Sequence, residues 1–228
     1  MANHIEVSSQ TNAPSLFACA ESPYARWNLR RNPFGELSRD ERGELAVVDD
    51  LSFWLQVLTR PMSALQFLGN CGFGKTTHLL ALERELPESA YIYYPETGTR
   101  PPLPCKRPLI VDEAQRMGRQ QERNLLRNSG PLILGTHVDL ELQLKQAGFE
   151  VTTVNVERPK TAQTLTRILN RRIEASRLAE NDSLPVIDLS FAEKLLHRFG
   201  SNVRHIEHFL YDCFQLSVSE CAPWPPVI

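Results

Sequence analysis

Gly69, Gly74, Lys75 and Thr76 stand at the spacing G-x-x-x-x-G-K-[ST], inside the stretch GNCGFGKTT. Glycines at such positions let main-chain N–H groups close around an anion that side chains would hold at a distance. The nine residues, Gly69, Asn70, Cys71, Gly72, Phe73, Gly74, Lys75, Thr76 and Thr77, lie between the apolar runs SALQFL and HLLAL. That context reads as strand, loop and helix, and the helix start adds its partial positive charge to the cradle. Lys75 then reaches the β- and γ-phosphates of a nucleoside triphosphate, and the Thr76 hydroxyl sits on Mg2+.

A second constellation lies in LIVDEAQR, from Leu109 to Arg116. An apolar strand that ends in two acids can hold a metal and polarise a water. Asp112 is expected to hold Mg2+ through water, and Glu113 to act as the base. Taken alone, the pair also fits an acidic helix cap. Placed after a phosphate loop it reads as catalytic, and an acid beside the metal-binding one argues for hydrolysis of ATP. A kinase for small molecules activates a substrate hydroxyl instead.

These side chains need a scaffold. SALQFLG, AYIYYPE, LIVDE, PLILGTH and VTTVNVE read as five strands. Between most of them stand helical patterns: TTHLLALERELPE, AQRMGRQQERNLLRNSG and VDLELQLKQAGFE, with VVDDLSFWLQVL before the first strand. Alternation of this kind predicts an α/β fold, a parallel five-stranded sheet with helices on both faces. After Pro159 come three helical stretches without a strand, which form a small C-terminal helical lid. The expected divisions are a loose arm over 1–23, a core over 24–158, the lid over 159–217 and a proline-rich tail over 218–228.

With 228 residues, 42% of them hydrophobic, one core suffices. A net charge of −2 gives no global attraction to DNA, so such a contact needs a local basic face. Arg167, Arg171, Arg172 and Arg177 on one predicted helix form one candidate; Arg26, Arg30 and Arg31 around Trp27 form another. The five cysteines, Cys19, Cys71, Cys105, Cys213 and Cys221, make no CxxC pair and suit a reducing cytoplasm. No apolar run approaches the roughly 20 residues of a membrane span, and the N-terminus lacks a secretory pattern. His205 and His208 near Cys213 lack a further ligand for a metal.

GNCGFGKTT, LIVDEAQR, LILGTH and GSNVRHIEHFL, in this order, resemble an AAA+ P-loop ATPase over about Trp27 to Gln215. DEAQ and the upstream NPF are most similar to the secretion- and transposition-associated and origin-recognition-like branch. The resemblance implies that Thr136 is a polar sensor on the fourth strand and that Arg204 is a lid arginine touching the γ-phosphate. It also implies that Asn32, Pro33 and Phe34 line the adenine pocket. It further implies a cytoplasmic switch that uses Mg-ATP to change its interaction with a partner protein or DNA.

Two departures limit that likeness. The second and third strands are joined by the proline-rich TGTRPPLPCKRP, which cannot be a helix, where AAA+ proteins usually place one. The helix before the fifth strand carries Lys145 and no arginine, although a neighbouring subunit usually supplies an arginine from there. A supplied arginine is worth ~10³–10⁵ in rate, so slow intrinsic turnover is expected unless Arg123, Arg127, a homo-oligomer or another protein substitutes. A nucleotide-binding sensor or scaffold with little hydrolysis, a small-molecule kinase and, least well, a helicase are the other readings.

Overall fold

The computed structural model describes residues 22–127, 129–180 and 182–220. Nearly all of the expected arm, and the tail from residue 221, lie outside the described residues. The sheet has five parallel strands: β1 (Ser63–Leu68), β2 (Ala90–Tyr93), β3 (Leu109–Asp112), β4 (Leu132–Thr136) and β5 (Glu150–Asn155), in the order β2-β3-β4-β1-β5. The three interior strands are buried almost throughout, as their predominantly apolar runs require, with Gln66 the buried polar exception in the middle of β1. The edge strand β5 mixes two valines with two threonines and stays half-exposed.

Helices α1 (Arg39–Glu44), α2 (Leu51–Val57) and α3 (Lys75–Glu85) precede or follow β1, while α4 (Arg119–Leu126) and α5 (Glu141–Gln146) flank β4. One face of the sheet packs Leu65, Phe67, Ile110 and Ile133 against Leu79 and Leu82 of α3 and Trp54 of α2. The other packs Leu109, Val111, Leu132 and Leu134 against Leu125 of α4 and Leu144 of α5. The α/β architecture with helices on both faces is therefore as the sequence predicts.

Hydrophobic spacing gives no warning of α1, which rests on its ends. The Ser38 side chain accepts from the Glu41 amide and Glu41 accepts from the Ser38 amide, a reciprocal cap. The helix expected over AQRMGRQQERNLLRNSG is broken. A 3₁₀ turn, Ala114–Arg116, precedes α4, and extended Gly118 separates the two. No helix or strand forms between β2 and β3, where residues 94–108 connect parallel neighbours directly. Leu103 of that link packs against the sheet, so the link covers part of the face a crossover helix would occupy.

The lid comprises α6 (Ala162–Ala175), α7 (Leu189–Phe199) and α8 (Val203–Glu220). Two expected boundaries need correction. Helix α8 continues to Glu220, beyond residue 217. Tyr24, Leu29 and Phe34, assigned to the core by sequence, are buried among lid residues such as Leu169, Leu195, Leu210 and Phe214. Leu29 also bridges Arg177 at the end of α6. The segment joins the lid because its apolar side chains complete a three-helix core too small to close by itself.

The arginines of α6 fasten this body together. Arg172 is buried, donating through Nε to the Pro33 carbonyl at 2.9 Å, through Nη2 to the Gly35 carbonyl, and through Nη1 to Glu207 at 2.5 Å. Arg167 pairs with Asp49, Arg171 donates to the carbonyls of Glu44 and Ala46, and Arg177 pairs with Glu174. The basic face read from sequence as a candidate for DNA is spent on internal partners. The second candidate is spent likewise: Arg26 reaches the Ser217 carbonyl, Arg30 the Ala175 carbonyl and Arg31 Glu41.

Gly135 is the one strand position where a missing side chain decides the site. A Cβ there would stand 2.9 Å from Oδ1 of Asp112 and 2.9 Å from Cδ1 of Leu79. Gly135→Ala is expected to lower stability by roughly 1–3 kcal/mol through overpacking and to weaken ATP affinity in Mg2+ more than in EDTA. Thermal unfolding and ATP titration under both conditions check this. Arg172→Ala strands a carboxylate and two carbonyls, and a loss of roughly 3–5 kcal/mol is expected. Urea unfolding reads it as a lower midpoint at unchanged slope.

Candidate functional site

Between the sheet's C-terminal edge and the lid lies a cavity of about 430 Å³. Its floor is the loop from Cys71 to Thr77, with Glu113 on one side and Arg204 on the lid side. Leu37, Val47, Val48 and Ile168 give it an apolar end. The loop follows β1 and turns into α3 at Gly74, whose φ of +96° suits glycine; Gly72, at +91°, also lies in the left-handed region. Gly69 passes so close to Val156 that a Cβ would stand 2.8 Å from its Cγ2. The Asn70 amide donates to Glu157, Phe73 packs on the core beneath the loop, and Thr77 lines the cavity beside Thr76.

Lys75, the first residue of α3, is buried. Its ammonium donates to the carbonyls of Gly69 at 2.8 Å and Asn70 at 3.0 Å, and lies 3.2 Å from Nε2 of His137. Burial pushes its pKa down, while Glu113, Cys71, Asp112 and Glu157 oppose that shift. The Thr76 hydroxyl donates to Oδ2 of Asp112 at 2.8 Å. Tyr91 donates to the same oxygen at 2.8 Å, and the Glu113 amide to Oδ1 at 3.0 Å. Burial first, and the neighbouring carboxylate second, push the Tyr91 pKa far above its ordinary value, so its hydroxyl stays a donor.

Glu113 turns through a left-handed conformation, φ 57° and ψ 45°, uncommon for a residue with a side chain. Its Oε2 accepts from Gln115 at 2.7 Å and lies 3.3 Å from both Arg116 and His137. Arg116 is held in turn by the hydroxyl of Tyr93 at 3.3 Å and by Glu96 at 3.7 Å. Among the described residues Oε1 meets His137 alone, at 3.4 Å. One oxygen is thus occupied by donors and the other is left to accept.

The remaining predicted residues divide. Arg204 lines the cavity and its Nη1 donates to Sγ of Cys71 at 2.9 Å, so the lid touches the phosphate loop. Asn202 joins it: a Cβ on Gly72 would stand 2.6 Å from its Oδ1. Thr136 is buried at the end of β4, but its hydroxyl is engaged in its own turn, donating to the Val138 carbonyl and accepting the Val138 amide. The next residue, His137, is the one that reaches Lys75 and Glu113.

Asn32, Pro33 and Phe34 are not among the cavity-lining residues. Asn32 donates to the Tyr211 carbonyl and accepts from the Phe34 amide, Pro33 accepts from Arg172, and Phe34 lies 5.7 Å from the Phe214 ring. An aromatic ring gains more from a closed apolar core than from an open cleft, which places NPF in the lid. The signals for Gln115, Arg116 and His137 were present, inside DEAQR and beside Thr136. Tyr91, Lys160 and Gly135 carried none. Lys160 lines the cavity, its pKa lowered by burial. Among the described residues no group of three or more His, Cys, Asp or Glu side chains is placed to hold a metal ion, and no helix is long and apolar enough to cross a membrane.

No protein-family model and no curated protein matches the chain. Solved structures do. A variant of RuvB from Thermotoga maritima superposes with a TM-score of 0.52 at 15% sequence identity, covering 82% of this chain. The chain spans 65% of the length of that RuvB chain. Two further variants of the same protein give TM-scores of 0.49, at 15% and 16% identity. The likeness is one of architecture: the chain has an α/β fold of P-loop NTPase type, with the parallel sheet and a helical C-terminal region.

Proposed function

We propose that the chain binds ATP with Mg2+ and hydrolyses it, as an AAA+-type switch that changes its interaction with a partner protein or DNA. The observation that carries this reading is the meeting of two adjacent pairs from separate elements, Lys75 and Thr76 at the start of α3 and Asp112 and Glu113 at the end of β3. The Thr76 hydroxyl lies 2.8 Å from the buried Asp112, Lys75 stands beside them at the loop's base, and Glu113 opens onto the same cavity. Chance placement of a phosphate-loop motif gives no reason for that convergence.

The residues fit the cofactors. A hydroxyl and a carboxylate side by side supply the oxygen ligands Mg2+ prefers, so Thr76 and Asp112 would hold the ion. When bound, Mg2+ supplies positive charge to the phosphate oxygens. Lys75 presently satisfies its protons on loop carbonyls, bonds that a phosphate replaces at little cost in lost partners. The amides of Gly72 to Thr76 and the start of α3 bind the anion. Glu113 then orients a water through the oxygen left free, with Gln115, Arg116 and His137 fixing its carboxylate. Arg204 couples the phosphate end of the cavity to the lid. In place of Phe34, the apolar end formed by Leu37, Val47, Val48 and Ile168 would take the base.

Turnover is slow in this reading. Lys145 of α5 is ion-paired with Glu141 at 2.5 Å, and no arginine stands on that helix. The link between β2 and β3 has no helix, which speaks against a ring that threads a chain through a pore. Both features favour a switch from the secretion- and transposition-associated branch over a motor, with a homo-oligomer as the route to a supplied arginine.

Lys75→Ala is expected to lower ATP affinity by a hundredfold or more, and Glu113→Gln to keep affinity while reducing phosphate release by ~10²–10⁴. Equilibrium binding of labelled ATP and phosphate release in Mg2+ check the pair. Tight ATP binding with no release that depends on Glu113, at any protein concentration, would favour the sensor instead. His137→Ala is expected to lower kcat about tenfold at unchanged ATP affinity. Thr136→Val should act on stability rather than turnover.

A further inference from the structure

Arg167, Arg171 and Arg172 of α6, and Arg177 just beyond it, are spent on partners within the molecule; among the described residues the arginines of α4 form no ion pair. Arg119, Arg123 and Arg127 recur every four residues along α4 and its C-cap, so they share one side of the helix. All three are exposed. No acidic side chain pairs with any of them among the described residues. Between them stand Gln120 and Asn124, also exposed and joined by a hydrogen bond of 3.1 Å. The helix's one acid, Glu122, borders a small hollow near Leu125 and Leu140 on the inner side.

The proline-rich link extends the positive band past both ends of α4. Near the start of the helix, Nη1 of Arg100 comes within 3.7 Å of the place a Cβ would take on Gly118. Beyond its end, the side chain of Arg107 packs on Gly130, and the neighbouring Lys106 is exposed. Of the acids nearby, Glu96 is exposed and lies 3.7 Å from Arg116.

Like charges at i and i+4 destabilise a helix, and acids interleaved between them would have removed that cost. A local choice that works against the fold points to a function on that surface. No large hydrophobic residue is exposed on α4 or on the link among the described residues. A protein partner usually meets an apolar or aromatic centre inside a polar rim. A face of guanidinium and amide groups alone matches what phosphates and base edges take from a protein.

We propose that the exposed face of α4, Arg119, Gln120, Arg123, Asn124 and Arg127, with Arg100 and Lys106 of the link beside it, binds the phosphate backbone of a nucleic acid. The surface lies outside the nucleotide cavity, and the proposal does not depend on hydrolysis. The chain's net charge of −2 conceals it, because a local stripe rather than the total sets the field a phosphate meets.

The test is fluorescence anisotropy with a labelled 30-base-pair duplex and a labelled 20-nucleotide single strand, from 50 to 200 mM salt, with and without Mg-ATP. The wild-type chain is expected to bind at least one of them, with an affinity that falls steeply as salt rises. The triple variant R119A/R123A/R127A should lose roughly 2.7 from the slope of log affinity against log salt on the duplex, about 0.9 for each phosphate contact removed. Its ATP affinity and its unfolding midpoint should stay close to wild type. The variant R119K/R123K/R127K should recover most of the slope. Absence of wild-type binding to both probes in every condition, or a triple variant with the wild-type slope, overturns the proposal. So does polyglutamate that binds more tightly than the duplex at equal salt, since the surface would then be one for an acidic protein.

Discussion

The Asp112 carboxyl group has almost no water around it, buried at the end of the interior strand β3. A carboxylate in that position is costly unless hydrogen bonds and nearby positive charge offset its lost hydration. The site is arranged around that need. Thr76 and Tyr91 give one oxygen two hydroxyl donors, the Glu113 amide serves the other, and Lys75 stands close enough to feel the charge. Gly135 leaves the space in which Oδ1 sits. The donor groups come from α3, β2 and the end of β3, so the parallel register that aligns β1, β2, β3 and β4 is what brings them together. The two acids of DEAQR divide the work by burial: the first is enclosed and bonded, the second faces the cavity.

The lid is a second body with its own apolar core, and the cavity is the gap between the two. They are fastened unequally. At the apolar end, Arg167 and Arg171 of α6 hold Asp49 and the carbonyls of Glu44 and Ala46. At the phosphate end, the lid meets the loop through Arg204 on Cys71 and Asn202 beside Gly72. A guanidinium on a thiol is a weak partnership that an anion readily displaces. The side at the Gly69–Thr77 loop is therefore the less firmly held of the two, and Tyr24, Leu29 and Phe34 pack inside the lid.

Where local chemistry alone fixes a feature, it was legible in the sequence. The three interior strands are predominantly apolar runs, and the glycine spacing of the loop from Gly69 to Thr77 has few other uses. Features that depend on what lies across the fold were not. Phe34 looks like a base-stacking residue until the lid offers it Phe214 and a closed core. Thr136 and His137 are adjacent, and only the turn that engages the threonine hydroxyl with Val138 sends the histidine into the site. The helix after DEAQR seemed continuous because its polar residues are all good helix formers; the left-handed Glu113 and extended Gly118 interrupt it. Both local conformations serve to point Glu113 at the cavity, and strain of that kind leaves no mark on hydrophobic periodicity.

Charge shows the same division between what a sequence displays and what a fold uses. Counting arginines along helices singles out α6, because its run is dense. In the fold, density there reflects joints: one guanidinium reaches two carbonyls and a carboxylate, and others clasp the core. The sparser set on α4 looks unremarkable as a string, yet its members are exposed and, among the described residues, form no ion pair. A buried or bidentate arginine has already exchanged its hydration for protein partners, and a phosphate would have to displace those first. An exposed arginine exchanges only water and counterions, whose release favours association with a polyanion. The capacity for an external anion therefore follows from which arginines the fold leaves without partners, and a total over the chain cannot reveal it.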